Sequence, residues 1–303
     1  MLATFIGFLA ILMWALLAFF TVSTGKIPPF QLTAMTFLVG SSMGLVSWIF
    51  RPGGIKALRQ PPMVWITGIG GLFGYHYFYF TALRNAPAVE AGLIAYLWPL
   101  LIVLFSALLP GEKLRWYHIC GALLGLAGCV LIVTGGNQIS LKTEYIPGYL
   151  AALVCALTWS GYSVISRKYA AVPTDTVVVF CFVTAVLSAI CHFALEDTVM
   201  PSGNIEWMAV LALGLMPVGA AFYVWDHGVK HGDIQLLGAA SYAAPLLSTA
   251  VLIAAGIAEP TWVVGVAAML ITIGAILASK SMLFKNGQGS GDQSGAASSK
   301  LSN

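Results

Sequence analysis

The sequence predicts an all-α integral membrane protein: ten transmembrane helices arranged as two inverted-topology five-helix repeats, with both termini in the cytoplasm. Three observations predict it. The 303 residues are 59% hydrophobic and only 8% charged, with a mean hydropathy of +0.90, whereas a soluble domain carries roughly 25% charged residues. Ten segments have the ~20 mostly apolar residues that a spanning helix needs. Residue identities then recur, in order, 145 or 146 positions apart.

The apolar segments cover residues 3–22, 30–50, 63–83, 87–109, 116–135, 147–166, 174–194, 206–226, 234–256 and 261–283. Turn-forming residues punctuate the short connections: Pro28-Pro29, Pro52-Gly53-Gly54, Pro61-Pro62, Pro110-Gly111, Pro173 and Pro201-Ser202-Gly203. The first run has no basic region before it and no small-residue cleavage site after it, so it reads as a first spanning helix and not a cleaved signal. From Asn286 the chain is mostly Gly, Ser, Gln and Ala, which cannot bury a core; residues 286–303 read as a disordered tail.

Orientation follows from the basic residues. With the N-terminus inside, the inner connections and tail hold Arg51, Arg59, Arg115, Arg167, Lys168 and Lys230, together with Lys56, Lys113, Lys280, Lys285 and Lys300. The outer side holds Lys26, Arg84 and Lys142 alone.

The repeat is clearest in two stretches. Gly92, Tyr96, Pro99, Leu100 and Leu101 are matched 146 positions later by Gly238, Tyr242, Pro245, Leu246 and Leu247. Trp116 with Trp262 and Gly128 with Gly274 keep that offset, while Leu12 with Leu157, Trp14 with Trp159, Pro28 with Pro173 and Gly74 with Gly219 stand 145 apart. The repeats therefore cover residues 1–137 and 147–284. Five spans is an odd number, so the second copy enters the membrane from the opposite side. Proline in a lipid-embedded helix frees a carbonyl, which survives where it lines a cavity or packs in protein. Broken helices at matching places in two halves point to a transport site at mid-bilayer.

Residues 82–134, from Ala-Leu-Arg-Asn-Ala-Pro-Ala through Gly92, Tyr96, Pro99, Pro110-Gly111-Glu112-Lys113, Gly121, Gly125 and Gly128, resemble the EamA repeat of the drug/metabolite transporter superfamily. Trp225-Asp226-His227-Gly228-Val229-Lys230-His231-Gly232, followed by Ser241-Tyr242-Ala243-Ala244-Pro245-Leu246, is similar to the C-terminal repeat of that family. The pairing of Tyr96-Leu97-Trp98-Pro99 with Ser241-Tyr242-x-x-Pro245 most resembles the YddG-type aromatic amino-acid exporters. The resemblance implies export of small metabolites across a bacterial inner membrane by a multi-pass protein. The second copy departs from the pattern, with Ala258-Glu259-Pro260 where the first has Gly111-Glu112-Lys113, so Glu112 and Glu259 are read as loop carboxylates.

The third segment carries the densest ring cluster. Tyr75 and Tyr79 share a helix face, and His76 lies near the midplane, where a polar ring must face protein or water. These three, with Tyr96, Trp98 and Pro99 of the fourth segment, Ser241, Tyr242 and Pro245 of the ninth, Trp14, Trp159 and Tyr223, are the expected substrate cavity. Together they supply donors, acceptors and flat apolar surface for a zwitterion with a ring. Asp226 and His227 are the candidate gate, with Asp226 paired to Lys230 at the cytosolic boundary. Helix interiors read as almost free of carboxylates, which points to uncoupled or weakly coupled flux.

Other chemistry lacks support. No catalytic or nucleotide-binding motif occurs, so no enzyme activity and no cofactor are expected. A transferase would rest on Asp226, His227 and His231 alone; a drug or other metabolite exporter remains the rival within the transporter class. Five cysteines lie inside apolar runs without metal-ligand spacing, and no metal is expected. A net charge of +3 without a basic patch excludes nucleic acid. The expected partners are the bilayer and a small-molecule substrate, with no obligatory protein partner.

Overall fold

The computed structural model describes residues 1–280. The tail at 286–303, the last residues assigned to the tenth segment and second repeat, and Lys285 and Lys300 lie outside the described residues. Every regular element among the described residues is helical. In chain order they are α1 (Leu2–Val22), α2 (Pro29–Phe50), α3 (Pro62–Asn85), α4 (Ala88–Leu108), α5 (Trp116–Thr134), α6 (Thr143–Lys168), α7 (Thr174–Leu195), α8 (Asn204–His231), α9 (Ile234–Ala254) and α10 (Trp262–Ala278). Eight are long and apolar enough to cross a membrane. α10 has 17 residues, and α3, although 24 residues long, is diluted by His76, three tyrosines, Arg84 and Asn85.

Proline sets the starts. Pro29, Pro62 and Pro147 stand in the first helical turn, where the missing N–H has no intrahelical partner to lose. Proline also sets the breaks. α4 stops at Ala95 and resumes at Trp98, with Pro99 in the new first turn. α9 stops at Ala240 and resumes at Ala243, with Pro245 likewise in the first turn. A third break, which the sequence reading missed, is a π-turn over Met216–Ala220 in α8, built around Pro217.

The packing joins the first five helices to the last five: α5 on α10, α3 on α6, α2 on α7 and α1 on α8. Glycines set the closest approaches. A Cβ on Gly121 would lie 2.5 Å from the Gly274 carbonyl oxygen, and one on Gly228 would lie 2.5 Å from Gly7 Cα. Gly70, by contrast, has open space where a Cβ would stand.

α2 and α7 are stapled at both ends. At one end Arg51 pairs with Asp175 at 3.1 Å, and Trp48 Nε1 donates to the same carboxylate. At the other, the buried Glu196 accepts from the backbone N–H groups of Phe30 and Gln31, each at 3.1 Å, and pairs with Arg84 at 2.8 Å and His192 at 3.1 Å. A carboxylate there caps orphan donors and meets the positive end of the helix dipole. Phe30 and Asp175 are 145 positions apart, as are Arg51 and Glu196.

Candidate functional site

A cavity of about 600 Å³ lies between the two sets of helices, within the usual range for small-molecule sites. Its inner part is ring-lined by Trp14, Tyr75, His76, Tyr79, Tyr96, Trp98, Trp159 and Phe222. Thr21, Thr24, Ile27, Pro29 and Leu83 carry it outward past the end of α1, the start of α2 and the end of α3. It therefore opens on the side that bears Lys26 and Arg84.

The floor is an indole cluster. Trp14 stands 5.9 Å from Trp159 and 6.1 Å from Trp98, both edge-on, and 5.1 Å from Trp225. Trp159 lies at 6.2 Å over Trp225 with the rings 22° apart, and Phe222 meets it at 5.6 Å. Edge-to-face and offset rings at these separations attract one another beyond their buried area. Tyr75 and Tyr79 stack 6.0 Å apart on one face of α3.

Hydrogen-bond commitments decide what the cavity offers. Trp14 Nε1 donates to the Pro217 carbonyl of the α8 π-turn at 3.1 Å, and Trp225 Nε1 donates to Ser163. The N–H groups of Trp98 and Trp159 and the hydroxyls of Tyr75, Tyr79 and Tyr96 have no partner among the described residues and are not sealed in protein, so they are donors left for the cavity. His76 Nδ1 lies 2.8 Å from the Leu72 carbonyl oxygen. A carbonyl only accepts, so Nδ1 carries the proton and Nε2 of the neutral ring is an acceptor. Thr21, Thr33 and Thr36 donate their hydroxyl protons to carbonyls one turn back, at 2.7 to 2.8 Å, leaving oxygen lone pairs outward. Among the described lining residues none is Asp, Glu, Lys or Arg.

Not every expected residue lies on this cavity. Tyr242 is fully buried; its hydroxyl accepts from Leu100 N–H, and its ring covers Gly125. Ser241 is fully buried and donates to Leu237 O within its own helix. Pro99 and Pro245 are buried in the helix breaks and do not line the cavity; from the ninth helix, Ala244 and Ser248 do. Tyr223 donates to Gly40 O, tying α8 to α2. Phe222 and Pro217 were missed, although a mid-helix proline was a signal that Pro217 met.

Beneath the indole floor lies a polar layer. Asp226 does pair with Lys230, at 2.8 Å, but not at an exposed boundary: the two residues are 0% and 5% exposed. Thr174 donates to the same carboxylate oxygen, and Lys230 donates to Val172 O. The pair is buried because α7 begins directly over this part of α8, which makes Asp226 an exception among helix interiors otherwise almost free of carboxylates. His227 is half-buried, with its ring 4.9 Å from His231 and away from the cavity.

Glu112, read as a plain loop carboxylate, pairs with Arg167. The Arg167 guanidinium also donates to the carbonyls of Val229, Lys230 and Gly232 at 2.5 to 3.3 Å, and so holds the end of α8. Glu259 is exposed.

The profile of the EamA-like transporter family matches residues 1–134 and 146–280. The chain is 57% identical over 277 residues to the aromatic amino acid exporter YddG of Ancylobacter novellus, covering 91% of this chain and 96% of that protein. It is 30% identical to the Salmonella typhimurium protein of the same name, over 82% of this chain and 86% of that one. A solved crystal structure matches with a TM-score of 0.88 at 56% identity, covering 91% of this chain and 96% of that one.

Proposed function

The chain belongs to the EamA-like transporter family, and from that premise we propose that it exports aromatic and other neutral amino acids by alternating access, without obligatory ion coupling. It is a multi-pass inner-membrane transporter, not an enzyme. The observation that carries the substrate reading is a ring-lined cavity without a single charged side chain among its described lining residues. An ion of one sign would enter without a counter-charge, which is costly away from water. A zwitterion brings its own. Its carboxylate meets the free N–H groups of Trp98 and Trp159 and the tyrosine hydroxyls. Its ammonium meets Nε2 of His76, and its side chain lies among the rings. The exporter names of the relatives agree with this reading.

Ten crossings in two inverted repeats, residues 1–137 and 147–284, with both termini cytoplasmic, are part of the same proposal. The shared offsets, the helix pairing across the two halves and the paired breaks in α4 and α9 support it. On that orientation the cavity faces outward. The indole floor, the Asp226–Lys230 pair and the Arg167–Glu112 clasp close the inner side. Asp226 belongs to this gate; His227 lies beside it. Rocking of the halves exchanges the open side.

Purified protein in liposomes tests the reading. Radiolabelled phenylalanine, tryptophan, methionine or threonine should flow down its gradient, and imposed proton or sodium gradients should leave the rate unchanged. Flux of none of these four, with an organic cation or anion carried instead, overturns the substrate assignment.

A further inference from the structure

A second cavity, of about 10 Å³, lies beneath the indole floor, lined by Tyr162, Ser166, Tyr169, Val172, Asp226 and Lys230, with Gly68 among the rest. That is room for about one water molecule. Its walls are not arbitrary. Tyr162, Ser166, Tyr169 and Val172 lie 145 positions after Leu17, Thr21, Thr24 and Ile27, and Gly68 lies 145 before Leu213. All five of those mates line the open outer cavity. The small cavity is therefore the counterpart of the open mouth, pressed shut. One difference stands out between the two mouths. The positions 145 before Asp226 and Lys230 are Thr81 and Asn85, at the end of α3 beside the lining residues Phe80 and Leu83.

We propose that Asp226 and Lys230 form a capture site for zwitterionic substrate at the inner mouth, built when that mouth opens. The inference rests on the inverted-repeat transporter reading above. A second observation points to a ligand here. Asp226 Oδ1 and the Tyr162 hydroxyl are both sealed in protein beside the same cavity, on residues 0% and 3% exposed; the hydroxyl feels Asp226 and Ser166 nearby, but neither atom has a partner at hydrogen-bonding distance.

The physics favours a zwitterion over a singly charged molecule. Opening the mouth separates a buried ion pair, and an uncompensated charge in such a place is costly. A zwitterion carries both charges on neighbouring atoms. Its ammonium takes Lys230's place against Asp226, using the free Oδ1, and its carboxylate takes Asp226's place against Lys230. A cation or an anion compensates one partner and strands the other. A ligand shifts a conformational equilibrium only through different affinity for the two states, and this exchange supplies that difference. Among its described lining residues the outer cavity has no charge to offer. Asn85 and Thr81 spend donors on carbonyls of their own helix, so the zwitterion leaves there without an ion pair to break.

The experiment compares the two faces. Phenylalanine flux is measured in oriented proteoliposomes, with substrate added at the inner or the outer face, for wild type and for the double variant Asp226→Thr with Lys230→Asn. The double variant removes both charges together and copies the outer mouth. Its inner-face KM should rise about tenfold, while the outer-face KM should move by less than about twofold. Equal shifts at both faces, or none at either, overturn the capture site. Wild type that carries no phenylalanine overturns the transport reading instead, which separates the two failures. Should the double variant not fold, Ser166→Cys gives the answer. A membrane-impermeant maleimide at the inner face should label it above the wild-type background, and phenylalanine should slow that labelling where phenethylamine does not. An unreactive Cys, or labelling indifferent to phenylalanine, overturns the proposal.

Discussion

The hydroxyl of Tyr242, at the break in α9, accepts a hydrogen bond from the backbone N–H of Leu100, just past the break in α4, at 3.2 Å. Leu100 is in the first turn of a resumed helix, so its N–H has no intrahelical partner. One broken helix thus caps the other. Tyr242→Phe should leave that donor unpaired, at a cost of about 1–3 kcal/mol. Its mate in the first half, Tyr96, faces the cavity, so Tyr96→Phe should leave stability unchanged and lower phenylalanine transport. Thermal unfolding in detergent, beside transport in liposomes, checks the pair; equal destabilisation by both variants would contradict the assignment.

The Arg167 clasp makes an unequal prediction. Glu112→Gln removes one partner of a partly exposed pair, with side chains 22–23% exposed, and should cost no more than about 1 kcal/mol. Arg167→Gln also strips the donors from three carbonyls at the end of α8 and should cost more than Glu112→Gln. A double-mutant cycle on unfolding separates the two contributions.

Glu196 gathers two backbone donors, Arg84 and His192 at one buried point. Glu196→Ala should therefore destabilise the protein by about 2 kcal/mol or more, since hydrogen bonds to a charged group are the strong ones. The exposed Glu259→Ala should have no measurable effect. Chemical or thermal melts of the two variants side by side test this.

Within the cavity, ring and polar atom can be separated. Trp159→Phe keeps a flat ring and loses the N–H, and should weaken phenylalanine and 3-phenylpropionate about tenfold while sparing phenethylamine. His76→Phe should do the reverse, weakening the two ligands that carry an ammonium. Competition against labelled phenylalanine reads both. Loss of all three ligands alike in either variant would show that the rings alone hold the substrate.

Much of this molecule follows from its sequence. Continuous apolar runs of about 20 residues fold as helices in lipid, because a helix satisfies every backbone group within its own span. The spacing of Tyr96-Pro99 against Tyr242-Pro245 marked the two broken helices before any coordinates. Helical periodicity put Tyr75 and Tyr79 on one face of α3, and depth in the span put His76 against protein or water; all three line the cavity.

Tertiary structure decided what identical residues do. Tyr96 and Tyr242 stand 146 positions apart at matching helix breaks, yet one lines the cavity and the other is fully buried, capping Leu100 and covering Gly125. No local pattern encodes that asymmetry. Asp226 read as a boundary carboxylate because Lys230 stands one turn on; only the packing of α7 over α8 buries the pair. A sequence fixes which groups are present and how they are spaced along a helix. Which of them meet water, a ligand or one another depends on contacts between residues more than a hundred positions apart, and those exist only once the halves have closed on each other.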